Sequence, residues 1–226
     1  MQTTASIHPD TAISTNPLST LLRLAHAAFG LLEERPDDRA LLSQVRGSDL
    51  GLSFRAMVRE VFEQYPRSME SPFEGSHHVG GSAWHPGDLG EDRIGFLRLR
   101  FSPHTVDLPL HTHDTSHRFI TVLRGRGRFH TIDPITGRES FVVVRERDAL
   151  LFRAGTIHTF TTDENPLELL SFHDPFLPLS DPLQYTLSLD GNGRPRMPTV
   201  PSPAPDRSQS VPVASVIALD PPRRLV

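Results

Sequence analysis

Four histidines stand where a metal ion could be held between them. In Leu110-His-Thr-His-Asp-Thr-Ser-His117, the residues His111, His113 and His117 share parity, so along an extended strand their side chains would project from one face. Further on, Ala154-Gly-Thr-Ile-His158 sets a histidine just past a glycine turn, at the start of a second strand able to close the ligand set from across a barrel. A lone histidine packs or hydrogen-bonds, and His26 and His130 are read that way; a pair plus one on another strand is a chelating arrangement. The pattern predicts one divalent transition metal on His111, His113 and His158, with His117 either a fourth ligand or a residue just behind them. The chain has no cysteine. Thiolate zinc sites, iron–sulfur clusters, disulfides and cysteine nucleophiles are therefore excluded, and any metal is held by nitrogen and oxygen.

Positioning these side chains falls to a strand-rich region, residues 94–189. Short β segments follow one another between turn residues: IGFLRLRF, HRFITVLRG, GRFHTI, ESFVVVRE, ALLFR, IHTFTT, LELLSFH and YTLSL. Such spacing predicts an antiparallel barrel or jelly roll, with a hairpin turn at Asp133, Pro134, Thr136 and Gly137. Arg98 and Arg100, like Arg124, Arg126 and Arg128, alternate along their strands and are assigned to exposed faces.

The flanks read differently. Residues 1–16 are polar and aperiodic, a disordered arm. Leu18, Leu21, Leu22, Ala25, Ala28, Phe29 and Leu32 form one apolar face of a helix to about Glu34, opened by Asn16 and Pro17. A second short helix is expected from Asp38 to about Arg46, stopped by Gly47, and a third at Phe54–Phe62, so that residues 17–66 form a helical segment packed on the barrel. Residues 67–93, rich in Gly, Pro, Ser and His, read as an irregular connection, and the Pro-rich stretch 190–226 as a disordered tail.

At 226 residues and 37% hydrophobic, the chain has material for one core with appendages. A net charge of -4 and the lack of a DNA-reading turn argue against a nucleic-acid partner. The N-terminus lacks the basic start and apolar run of a signal peptide, and no membrane-length apolar run occurs, so a cytoplasmic protein is expected.

The motifs carry a family resemblance. His-Thr-His-Asp-Thr-Ser-His117 followed by Gly125, then Gly155-Thr-Ile-His158, resembles the two motifs of the cupin superfamily over about residues 94–189. That resemblance implies a mainly β fold, a double-stranded β-helix or jelly-roll barrel with an N-terminal helical segment. Where the superfamily normally places a glutamate after His-x-His, this chain has His117 and Arg118. Arg153 stands where a proline is usual before the second motif's glycine, and Thr162 replaces a later asparagine. An all-imidazole set leaves the ion its full double charge and favours borderline metals, Fe, Mn, Cu, Ni or Zn, over Mg or Ca.

Within the superfamily the pattern is similar to thiol dioxygenases of the cysteine dioxygenase type: His111, His113, Ser116, His117 and Phe119 match a His-x-His-x-x-Ser-His-x-Phe stretch, and Ser171 and His173 match its later Ser-x-His pair. This implies Fe(II) first among those metals and a dioxygenase acting on a small polar molecule and dioxygen, with His173 oriented by Ser171 as a proton donor beside the metal and His117 in a catalytic or ligating role. Three departures mark the match. Arg118 sits where some members have cysteine, Pro175 where the family has a catalytic tyrosine, and the carboxylate-binding arginine has only Arg93, Arg98 and Arg100 as candidates. Four-histidine cupins, in which His117 would ligate, are the other group that tolerates this site. A metal-dependent isomerase, lyase or cyclase and a non-catalytic ligand-binding barrel are the competing functions. A homodimer through β edges is the expected assembly.

Overall fold

Along the central strands apolar side chains alternate between two destinations, and that alternation organises the molecule. The computed structural model describes residues 17–34, 40–44, 59–61, 63 and 78–200. Its elements are helix α1 (Pro17–Glu34) and strands β1 (Ala40–Gln44), β2 (Val79–Trp84), β3 (Gly95–Phe101), β4 (His111–Thr112), β5 (His117–Ile132), β6 (Glu139–Arg145), β7 (Asp148–Phe152), β8 (His158–Thr161), β9 (Leu167–Asp174) and β10 (Thr186–Leu187), with one helical turn at Pro86–Leu89. Every strand pairing is antiparallel. Among the described residues no helix is long and apolar enough to cross a membrane.

Strand β5 belongs to two sheets. Its first half pairs with β7 on one side and β9 on the other, continuing through β3 to β2; its second half pairs with β6 and β8, continuing through β4 to β10. The passage occurs around Gly125. The β5/β9 register shifts between Val122 and Arg124, Gly125 takes φ +86°, and a Cβ there would lie 1.9 Å from the Pro166 carbonyl oxygen. Only glycine fits such a place. The two sheets curl around one interior as a jelly roll.

The two faces of the first sheet bury different things. Phe96 of β3, Phe119 and Leu123 of β5, Ala149 and Leu151 of β7, and Leu170 and Phe172 of β9 face outward against Leu18, Leu21, Ala25, Ala28, Phe29 and Leu32 of α1. Their neighbours Leu97, Leu99, Ile120, Val122, Leu150, Phe152, Leu167 and Leu169 face inward, joined by Phe129, Val144 and Phe160 from the second sheet. The amphipathic helix thus fulfils its pattern, and a large part of the drive to fold comes from these two apolar layers. The guanidinium of Arg153 donates to the carbonyl of Leu32, tying down the last turn of α1.

Several expected elements differ. Residues 40–44 form a strand on the edge of β7, where a helix over 38–46 was predicted; a short apolar stretch such as Ala-Leu-Leu fits either form, and the open edge of β7 supplies the hydrogen bonds that select the strand. Of the third helix, residues 59–61 and 63 are helical, and the rest lies outside the described residues. The connection 67–93 contains β2, which pairs with β3 along its whole length; Gly80 and Gly81 hide that strand from sequence reasoning. HRFITVLRG and GRFHTI are one continuous strand. The tail assigned to 190–226 is ordered to residue 200: Asp190 caps a turn with Asn192 and Arg194, Leu189 bridges Pro195, and Leu110 donates to Arg196. Residues 1–16 and 201–226 lie outside the described residues.

Candidate metal centre

Strand pairing brings the histidines together. His111 of β4 lies directly opposite His158 at the start of β8, and His113 follows two residues on, where β4 ends. The imidazole centroids are 4.6 Å apart for His111 and His158, 5.1 Å for His111 and His113, and 5.2 Å for His113 and His158. One ligand atom from each falls within 4.8 Å of the others.

Orientation is set from behind. The Nδ1 of His111 bonds the Pro109 carbonyl at 3.0 Å, that of His113 the Gln184 carbonyl at 2.5 Å, and that of His158 the Thr156 carbonyl at 2.9 Å. A carbonyl can only accept, so each Nδ1 carries the proton and each Nε2 keeps its lone pair. Burial lowers the pKa of His111 to about 4 and holds His113 and His158 well below the ordinary histidine value; the nearby Arg118 charge pushes all three in the same direction. Three neutral imidazoles with their donor nitrogens free are the state a divalent ion needs, so this donor set fits one transition metal.

His117 is not among the three. Asp114, Thr115 and Ser116 bend between β4 and β5, and the bend resets the alternation: in β5 the even positions Ile120 and Val122 face inward, whereas His117 shares the parity of the outward Phe119. Equal parity in sequence held only while the strand was continuous. The Nδ1 of His117 instead accepts from the Ala154 amide at 3.0 Å, bracing the turn through Gly155 that presents His158. The Gly155 amide donates to the His113 carbonyl at 2.9 Å, so both halves of the site are laced together.

Other predicted residues divide in the same way. Ser171 and His173 line the cavity beside the three histidines; the Nε2 of His173 lies 3.1 Å from Ser171 Oγ, its Nδ1 has no hydrogen-bond partner, and burial holds the ring neutral. Arg93 pairs with Asp174, and Arg98 and Arg100 with Glu168; none of these three arginines lines the cavity. Thr162, at the asparagine position, accepts from the Thr105 amide and donates to the Ser102 carbonyl, a structural tie.

Arg118, Gln184 and Tyr185 also line the cavity and were not assigned to the site from sequence. Arg118 is 1% exposed. A cation directly before the apolar run Phe119–Leu123 was the available signal, without showing which face it takes. Burial brings its guanidinium down to about 9, which leaves it charged at neutral pH. Gln184 and Tyr185 come from the segment leading into β10, which crosses the open end of the barrel; Tyr185 meets the edge of His111 with ring centroids 5.9 Å apart. The cavity they enclose measures about 40 Å³, with Leu97, Leu99, Ile120 and Leu179 on its apolar side.

Residues 97–173 match the family model described as the cupin domain. The matched stretch holds all three histidines together with Arg118, Ser171 and His173. No curated protein matches the chain. Solved structures similar to it include variants of oxalate decarboxylase from Bacillus subtilis, one at 20% identity over 50% of this chain and 28% of that chain with a TM-score of 0.42, another at 18% over 55% and 30% with a TM-score of 0.44. A structure of the same enzyme at pH 4.6 aligns at 20% identity, 50% and 28% coverage, and a TM-score of 0.41. The chain spans less than a third of the length of these proteins.

Proposed function

We propose that the cavity is the active site of a metal-dependent cupin oxidoreductase, a mononuclear dioxygenase acting on a small polar organic molecule. The observation behind this reading is the set of three buried, neutral imidazoles with Nε2 unprotonated and no carboxylate among them. When bound there, an Fe(II) ion supplies open coordination positions at which an organic substrate and dioxygen can meet and exchange electrons.

The rest is the work of the chain's own residues. His111, His113 and His158 hold their donor atoms in place through backbone carbonyls, so little reorganisation accompanies metal entry. Leu97, Leu99 and Ile120 keep water from one side of the cavity. His173, tethered at Nε2 by Ser171, has Nδ1 left to hydrogen-bond a bound molecule, and burial keeps its ring neutral.

The test is metal analysis of protein purified without chelator, then oxygen-electrode traces after Fe(II) reconstitution with a panel of small thiols, diketones and phenols. Stoichiometric metal with substrate-dependent oxygen uptake is expected. Metal without uptake for any compound that binds replaces the dioxygenase by a lyase or isomerase in which the ion acts as a Lewis acid, and protein that takes up no metal sinks both.

A further inference from the structure

The segment that follows β9 wraps the strand carrying two of the three histidines. Gln184 gives its backbone carbonyl to the Nδ1 of His113. Thr186 and Leu187 then pair with Thr112 and His111, and Thr186 Oγ1 donates to Asp114 at 2.7 Å. Leu110, just before His111, accepts from the Ser188 amide and donates to the Arg196 carbonyl, while the Arg196 amide bonds the Ser188 carbonyl. Residues 184–199 thus form a strap laid along β4.

Little apolar burial holds this strap. Of residues 181–200 only Gln184 and Pro198 are buried, and Leu183, Leu189, Met197 and Val200 are exposed. An element kept in place by surface hydrogen bonds opens more readily than the packed sheets beneath it. Its near end is tied by Asp181, whose carbonyl accepts from the Gln184 amide and whose carboxylate accepts from the Leu183 amide. Its far end is tied at Thr199, whose amide and hydroxyl both donate to the Glu139 carboxylate, at 2.8 Å and 2.9 Å. Past Arg196 these are the strap's only hydrogen bonds among the described residues.

Glu139 is itself aimed from below. Its Oε1 lies 3.1 Å from the Nδ1 of buried His130, and the Nε2 of that ring lies 2.9 Å from Thr161 Oγ1 of β8. A carboxylate oxygen accepts, so Nδ1 carries the proton and Nε2 accepts from the threonine hydroxyl. His130 thereby fixes, from the interior of the second sheet, the group that clasps the end of the strap.

We propose that residues 184–199 are a latched strap, clasped at Glu139 and Thr199, whose opening sets how fast a metal ion enters and leaves the three-histidine centre. This rests on the metal reading above and adds its control. When the strap lifts, His113 loses the carbonyl that fixes its ring, and a ligating histidine without that partner holds its ion more weakly. The ion therefore escapes through the open form, in proportion to the population of that form. Weakening the clasp raises that population.

The test uses full-length protein loaded with Zn(II) and mixed with excess chromophoric chelator, at concentrations where the release rate no longer depends on the chelator. Amide hydrogen exchange at Leu110, Ser188 and Arg196 is followed in the same proteins. Thr199 is exposed, and Thr199→Pro removes both donors while leaving Glu139 and His130 paired. Thr199→Pro is expected to bind Zn(II) stoichiometrically and release it about tenfold faster than wild type. Thr199→Ala, which keeps the amide, should fall between. The three strap amides should exchange faster in the same order, with the amides of β9 unchanged. Equal release rates in the three proteins overturn the proposal, and so does faster release with unchanged exchange of the strap. Failure of the metal reading is distinct: it appears as wild type that takes up no Zn(II), while exchange in the metal-free protein still reads whether the clasp holds the strap.

Discussion

The two faces of the sheet formed by β3, β5, β7 and β9 are built from the same strands, residue by alternate residue, yet they serve different ends. The outward face is apolar where α1 covers it. The inward face is apolar for most of its length and then changes character, with Arg118, Ser171 and His173 lining a cavity closed by three histidines from β4 and β8. Side chains on the helix face need only volume and apolarity. On the inner face each polar group needs a stated partner, because burial makes an unsatisfied one expensive. Stability and chemistry thus separate across the thickness of one sheet.

Removing the ligands should break this comparison most visibly. Replacing His111 and His158 by Ala is expected to reduce metal content from stoichiometric to background while the circular dichroism of the folded barrel persists; metal retained at the wild-type level would show that the three histidines are not the site. The opposite face should respond in the opposite way. Leu21→Ala, at a residue 1% exposed under the sheet, is expected to cost about 2–5 kcal/mol in chemical denaturation and to leave the metal stoichiometry of the folded protein unchanged.

Acid should also tell the faces apart, since only the inner one buries a cluster of histidines. Their pKa values lie below that of an unfolded histidine, so between about 6.5 and about 4 the unfolded chain binds protons that the folded His111 refuses. Stability of the metal-free protein therefore falls as pH drops through that window, by about 3 kcal/mol from His111 alone, and His113 and His158 extend the loss to lower pH. Denaturant midpoints recorded from pH 7 to pH 4 test this, and a flat profile would contradict the buried neutral state. The smallest effect is expected at His117, which belongs to the outward parity. His117→Ala should keep the metal and lose about 1 kcal/mol with the hydrogen bond from Ala154; loss of metal would restore His117 as a ligand.

Much of this was legible before any fold was drawn. The helix at Pro17–Glu34 announces itself because its apolar residues recur with the helical period, and the strands from Gly95 to Asp174 because theirs alternate. The pairing of His111 and His113 with His158 could be anticipated because a short motif, a glycine turn and two strand starts are local features. The strand at Ala40–Gln44 was not legible, since its five residues suit a helix equally and the free edge of β7 chose between them. Nor was β2, whose two glycines imitate a loop until β3 pairs with it.

The chemistry divides along the same line. Residue type and spacing, by themselves, determined that no thiolate would hold any metal here, and pointed to His111, His113 and His158 while leaving the part of His117 open. Tertiary structure alone decided that His117 faces away and Arg118 faces in. A three-residue bend between β4 and β5 inverts the side-chain alternation, and the sequence carries no sign of which parity a strand resumes. Gln184 and Tyr185 reach the cavity only because β10 pairs with β4 across the barrel's open end, a contact between residues some seventy positions apart. Long-range pairing of that kind depends on backbone hydrogen bonds, which every residue except proline can make, and so leaves little trace in the identity of the side chains.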